Sequence, residues 1–169
     1  SRQTVNYYSN ASTGRKLIAT ISNPSENLGC VTAAVQNAGN GKVLLSTTTG
    51  SYYRTAKVIK IAPAVANTTA TYQATLYYSL VSDLVPTWNA TEISSFKILK
   101  VKDGVDLSSI INASDVELVT PTVFDPVTNY YSYTGNFTGF SQFMLVIPNV
   151  VVPVGLLNFD AVAGSNSIA

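Results

Sequence analysis

The chain has 169 residues, enough for one domain with a real core, and its ten Lys plus Arg and nine Asp plus Glu leave a net charge of +1. Charged residues make up only 11% of it, and it holds no histidine, one cysteine and one methionine. These counts exclude Ser-His-Asp and Cys-His catalytic machinery, histidine-containing zinc sites and cysteine metal clusters, and they leave no basic stripe for nucleic acid.

Apolar and polar residues alternate with period two along most of the chain, and no helix-length stretch is convincingly amphipathic. Residues 4–8 read as an opening strand. Residues 16–22 read as a second, stopped by Asn23-Pro24. In 30–36, Cys30, Thr32, Ala34 and Gln36 share one face, and Val31, Ala33 and Val35 the other. The cluster Asn37-Ala-Gly-Asn-Gly41 is predicted to turn that strand into 42–48 as a hairpin. Residues 52–62 form the first long strand, with Tyr53, Thr55, Lys57, Ile59 and Ile61 on one face. Residues 70–81 form the second, with Tyr72, Ala74, Leu76, Tyr78 and Leu80 on one face. Strands at 96–102, 117–123, 130–137 and 142–147 follow, and Asp103-Gly104 is a turn signal. The only helical candidates are turns near 106–111 or 87–93. Eight to ten short strands punctuated by Gly, Asn, Asp and Pro specify an all-β fold. The expected form is a two-sheet antiparallel sandwich, Ig-like or jelly-roll-like, with an extended C-terminal strand. Residues 1–148 are expected to form the sandwich domain and 149–169 a C-terminal extension.

Two motifs carry a family resemblance. Gly139-Phe-Ser-Gln-Phe-Met-Leu145 resembles the closing strand of the β-sandwich module that precedes the C-terminal sorting domain in surface proteins of Bacteroidetes exported by type IX secretion. Val152-Pro-Val-Gly-Leu-Leu-Asn-Phe159 is similar to the stretch that opens that sorting domain. The resemblance implies a secreted protein at the extracellular cell surface. It implies an accessory role beside proteases, glycosidases or adhesins, and it fixes no ligand.

Several residues are candidates for chemistry. Asp103, Asp106, Asp115 and Glu117 are too sparsely spaced for a calcium loop, so turn chemistry is the favoured role of Asp103-Gly104. No two of the nine acids stand out as a catalytic pair; the chain reads as a non-enzyme without metal or cofactor. Cys30 has no intrachain partner and is expected as a small buried hydrophobe. The pairs Tyr7-Tyr8, Tyr52-Tyr53, Tyr77-Tyr78 and Tyr130-Tyr131 each put one ring in the core and one outside if they lie on strands. Trp88, in the loop Pro86-Thr-Trp-Asn-Ala90, is the candidate for stacking on a sugar ring, with Tyr130, Tyr131 and Tyr133 beside it.

The run Val150, Val151, Val152, Val154, Leu156, Leu157 and Phe159 is uncharged, apolar and too short to cross a bilayer. It needs a cover, either its own sandwich or a neighbour's sheet. The expected function is therefore a non-catalytic extracellular structural or adhesive module. It would self-associate on the cell surface or in a fibre by strand addition, with residues 4–8 a candidate receiving edge. The alternative is a carbohydrate-binding accessory module of a secreted enzyme. The expected partners are further copies of the chain or glycans, without nucleic acid and without a transmembrane segment.

Overall fold

The computed structural model describes residues 3–10, 12, 14–124 and 129–150. Among these residues twelve strands run in chain order: β1 Val5–Tyr8, β2 Leu17–Ser22, β3 Val31–Asn37, β4 Lys42–Thr47, β5 Gly50–Thr55, β6 Val58–Pro63, β7 Thr71–Ser79, β8 Lys97–Lys102, β9 Val116–Val119, β10 Thr122–Phe124, β11 Tyr130–Thr138 and β12 Ser141–Pro148. They form two antiparallel sheets packed as a sandwich. The first sheet has the order β1-β2-β7-β11-β10. The second runs β3-β6-β12-β5-β4, with β8 on the other side of β12 and β9 beyond it. One short helix, α1 (Ala90–Ser95), sits between β7 and β8. Its start is a capping box: Asn89 accepts from the Glu92 N–H, and Glu92 accepts from the Asn89 N–H.

The alternation in the sequence sets the faces. Along β7, Tyr72, Ala74, Leu76 and Tyr78 are buried while Thr71, Gln73, Thr75 and Tyr77 are not. On β11, Tyr133 and Phe137 point inward in the same way. These side chains meet Ile59, Ile61, Phe143 and Leu145 of the second sheet, and Leu84, Trp88, Ile93 and Phe96 fill one end of the same core. At the last crossing between sheets, Gly139 adopts φ +68 and accepts from the Tyr72 hydroxyl, a backbone state that L side chains avoid.

The expected hairpin at Asn37-Gly41 does not form. β3 pairs with β6 and β4 pairs with β5. Thr47 is opposite Gly50, and Val31 is opposite Pro63 at the far end. One long hairpin thus runs from 31 to 63, and it reverses at Thr48-Thr49. There the Thr47 hydroxyl donates to the Gly50 carbonyl and accepts from the Thr49 N–H. The Asn- and Gly-rich segment instead loops out midway, opposite a break in the expected strand 52–62. Across that break β12 steps three residues, Val146 to Phe143, while its partner steps five, Arg54 to Ile59. The expected strand 70–81 also ends early, at Ser79, in a π-helical turn over Leu80–Leu84. The helical candidate at 106–111 is a set of turns in which Asp106 accepts from the Ser108 N–H.

The break is held by the side chains that flank it. The Thr55 hydroxyl accepts from the Leu145 N–H and donates to the Lys57 carbonyl, standing in for the lost ladder bond. Arg54 Nη1 donates to the Thr55 and Ala56 carbonyls. Lys57 turns inward between the sheets, buried, with its ammonium 2.8 Å from Asp83 Oδ2 and 2.8 Å from the Tyr77 carbonyl. Asp83 Oδ2 also accepts from the Ser79 N–H at 2.8 Å. Desolvation pushes Lys57 below the ordinary lysine range, and the Asp83 carboxylate offsets part of that.

The outer face of the second sheet is covered over its middle, though not at β3. Residues 103–115 cross it and cover Leu45, Val58, Leu99, Val101, Met144 and Val146 with Ile111, Val105 and Leu107. Ile111 is pinned there by bonds to the backbone of Ser46 and Thr48. Of the pair Tyr52-Tyr53, expected to have one ring outside, Tyr52 packs into this second cluster and Tyr53 on the main core.

Two stability predictions follow from these contacts. Asp83→Ala strands a buried ammonium and should cost about 3–5 kcal/mol in urea unfolding, whereas Lys57→Met with Asp83→Leu should recover most of that. An Asp83→Ala variant as stable as the parent would refute the assignment. The hydroxyls of Tyr72 and Tyr78 are raised above the ordinary range by burial, and that of Tyr7 more modestly. Their stabilisation is complete below the unfolded value of about 10 and is lost as pH climbs above it. The urea midpoint should therefore fall in strong alkali, and Tyr72→Phe should lessen the fall.

Candidate functional site

The sandwich has an open side where β1 and β3, edge strands of the two sheets, lie next to each other. Between β1 and the β2–β3 connection is a groove of about 550 Å³ with a mixed lining: Val5, Tyr7, Ile21, Leu28 and Val31 are apolar, Gln3, Ser25 and Asn27 are polar, and Glu26 is the one charged group. Among the described residues, β1 pairs only with β2 and β3 only with β6. Each therefore presents one unpaired row of backbone N–H and C=O groups. Neither strand carries a charge or a proline. On β3, Val31, Ala33 and Val35 pack toward the core while Thr32, Ala34 and Gln36 are exposed. The candidate receiving edge at 4–8 is thus an edge strand, and the longer β3 edge stands beside it.

Cys30 opens that second edge. It is exposed and free, not a buried hydrophobe. The residue precedes β3, and its carbonyl accepts from the Ala64 N–H, so the chain there runs along the rim and not through the core.

The four stacking candidates do not form one platform. Trp88 is 2% exposed, its ring edge-on to Phe96 at 4.8 Å. The ammonium of Lys42 sits 4.4 Å above the Trp88 ring and is itself paired with Glu92 at 2.7 Å. Tyr133 is fully buried and donates its hydroxyl to the Ile93 carbonyl. Tyr131 packs on the same core beside Tyr133. Tyr130 alone of the four is on the outward side of the sheet. The reason is that the segment 80–96 folds into the end of the core, where a large ring gains more from burial than a loop position suggests. Of the apolar run, Val150 is 71% exposed and Val151, Val152, Val154, Leu156, Leu157 and Phe159 lie outside the described residues. The chain leaves β12 tied to β5, with Asn149 bonded to Ser51 through backbone and side chain.

The acids considered for metal are engaged elsewhere. Asp103 pairs with Lys60, Asp115 with Lys102 and Glu117 with Lys100, while Asp106 caps its own turn. The last two pairs line a shallow recess of about 290 Å³ beside Gly139 and Phe140. Its two cations and two anions compensate each other. Among the described residues no three metal-ligating side chains converge.

One surface went unnoticed in the sequence. None of the five strands of the first sheet contains a charged residue. At one register Asn6, Thr20, Thr75, Thr134 and Thr122 line up across all five. The signal was there in the uncharged runs on alternate positions, but only the pairing register brings them to one row.

Comparisons with protein-family models, curated proteins and solved structures gave no match to this chain.

The burial of Trp88 and the exposure of Cys30 are checked together. Emission from the single tryptophan should be blue-shifted and resist iodide quenching until the chain unfolds. Cys30 should react stoichiometrically with a thiol reagent in the native state. Ready quenching of the native protein, or a thiol that reacts only in denaturant, would contradict this placement.

Proposed function

We propose that this chain is a non-catalytic structural and adhesive module of an extracellular surface protein, and that it self-associates by strand addition. What supports the reading is the open side of the sandwich: two uncharged edge strands, β1 and β3, flanking a groove of mixed lining that carries an apolar strip of Val5, Tyr7, Ile21, Leu28 and Val31. An extended segment entering there gains backbone bonds from an edge and buries alternate side chains on the groove floor. The donor we propose is the run from Val150 to Phe159, supplied by another copy, in which Val150, Val152, Val154 and Leu156 recur at every second position. The family resemblance to modules of type IX-secreted proteins supports a cell-surface or fibre setting, as does the low charge that lets sheets approach closely.

A second reading, a carbohydrate-binding accessory module, draws support from a different surface. That surface is the charge-free face of the first sheet, not the ring set around Trp88.

The test compares the full chain with a chain ending at Val150 and with a Thr32→Lys/Ala34→Lys variant of β3. Light scattering and negative-stain microscopy should show oligomers or fibres for the full chain only. Thiol labelling of Cys30 should slow in the assembled material. A full chain that stays monomeric at high concentration ends the proposal.

A further inference from the structure

Resting on strand addition as the mode of association, we propose that β3 is the receiving edge and that the donated strand enters antiparallel to it from a second copy. Val152, Val154 and Leu156 of the donor then stand opposite Val35, Ala33 and Val31.

β3 offers the longer ladder. It has seven residues, whereas β1 has four and slips register between Tyr7 and Tyr8. The Cys30 carbonyl accepts from the Ala64 N–H at 2.7 Å, so the backbone groups of Cys30 point toward β6. Backbone direction alternates along an antiparallel strand. Those of Thr32 and Ala34 therefore point toward β6 as well, and those of Val31, Ala33 and Val35 point to the outer edge. Pro63, which has no N–H, is opposite Val31, where the alternation asks for none. Three residues thus turn three N–H and three C=O groups outward, while their side chains pack toward the core.

Pro153 sets the direction. Val152, Val154 and Leu156 occupy one set of alternate positions of the run, and Val151, Pro153, Gly155 and Leu157 the other. In an antiparallel pair, opposite residues share a face and at every second position exchange both backbone bonds. The partners of Val31, Ala33 and Val35 then bond to β3 and point inward as well. With Val152, Val154 and Leu156 in those places, three apolar side chains are buried. Pro153 turns its missing N–H away from β3, the side on which a strand proline is tolerated. A parallel donor reverses this. The bonds of Val31, Ala33 and Val35 would go to residues whose side chains face outward, and burying the valines would require an N–H that Pro153 lacks. In the antiparallel register Leu156, the largest of the three, meets Val31 on the apolar strip of the groove, beside Leu28 and Val5.

The reach of the chain selects a second copy. Asn149 is bonded to Ser51, at one end of the sandwich. Val35 is opposite Ile59, and Ile59 is opposite Phe143. Phe143 is six residues back along β12 from Asn149, about 20 Å at the strand rise. Val152 is three residues beyond Asn149 and reaches at most about 11 Å. It cannot arrive beside its own Val35, even before the sideways crossing of β6 and β3 is counted. The same segment of another copy can approach that edge from outside.

The experiment uses Cys30, the one cysteine of the chain, as its probe. In the proposed register Leu157 is opposite Cys30 in a pair without backbone bonds, where Cα atoms stand about 4.5 Å apart, within disulfide reach. Full-chain Leu157→Cys and Val151→Cys variants are assembled, mildly oxidised and run on non-reducing gels, with the parent chain as background. Light scattering follows the assembly of each before oxidation. Leu157→Cys should give disulfide-linked species of two or more chains, which vanish when Cys30→Ser is added. Val151→Cys, whose position is level with Gln36, should stay at the parent's background. Cross-links from Val151→Cys instead would mean a parallel donor, and a Cys30 disulfide confined to single chains would mean fold-back; either overturns the proposal. Assembly seen by scattering without a cross-link at Leu157→Cys overturns β3 as the receiving edge and leaves strand addition standing. A full chain that never assembles removes strand addition, and this assignment with it.

Discussion

The arrangement turns on an ammonium group buried between two sheets. Lys57 occupies an inward position of a strand that would otherwise be continuous, and it is largely withdrawn from water. Its charge is sustained by Asp83, and Asp83 is fixed by the Ser79 N–H at the start of the π-helical turn. Two elements distant in sequence are thereby tied across the core. The Tyr78 ring lies 4.8 Å from the same ammonium and its hydroxyl donates to the Lys57 carbonyl. A buried pair of this kind contributes less to net stability than an apolar core would, but it tolerates only one arrangement of its partners. The strand break, the looped-out Asn37–Gly41 segment and the early end of β7 are adjustments around that one group.

The distribution of the remaining charges distinguishes the two sheets. The Lys, Arg and Glu residues of the strands all belong to the second sheet, where most of them form ion pairs or bond to backbone carbonyls. The middle of that sheet is covered on both faces, by the first sheet and by residues 103–115. The outer side of the first sheet carries hydroxyls, amides and rings, with no charged residue on its five strands. Edges and faces thus offer different chemistry. An edge recognises backbone, with little regard for side chains, while a face recognises functional groups at fixed spacing.

The alternation of residues made the fold class legible. Inward and outward sets on β3, β7 and β11 match the period-two reading, because a half-buried strand constrains every second residue. Connectivity was less legible. Asn37-Ala-Gly-Asn-Gly41 has the stronger turn composition, yet the chain reverses at Thr48-Thr49, since long-range pairing with β12 decides which kink is a corner and which a bulge. The helix start was written in Asn89-Ala-Thr-Glu92, a capping box whose apolar context is too short to stand out. Trp88 looked like a loop residue, and nothing local says that the loop dives into the core. Cys30 was misjudged for the opposite reason: its residue type favours burial, but its strand is an edge. The charge-free face could be listed from sequence strand by strand, but its rows exist only after five segments are placed in register.

β12 is the last of the described strands, yet it sits at the middle of its sheet. It pairs with β8 along one side and with both β5 and β6 along the other. Until Ser141–Pro148 arrives, the 31–63 hairpin and the β8–β9 pair have no common neighbour, and the side chains of Phe143 and Leu145 are missing from the core. The second sheet is therefore joined by its last described strand, and loss of Ser141–Pro148 would part the 31–63 hairpin from the β8–β9 pair.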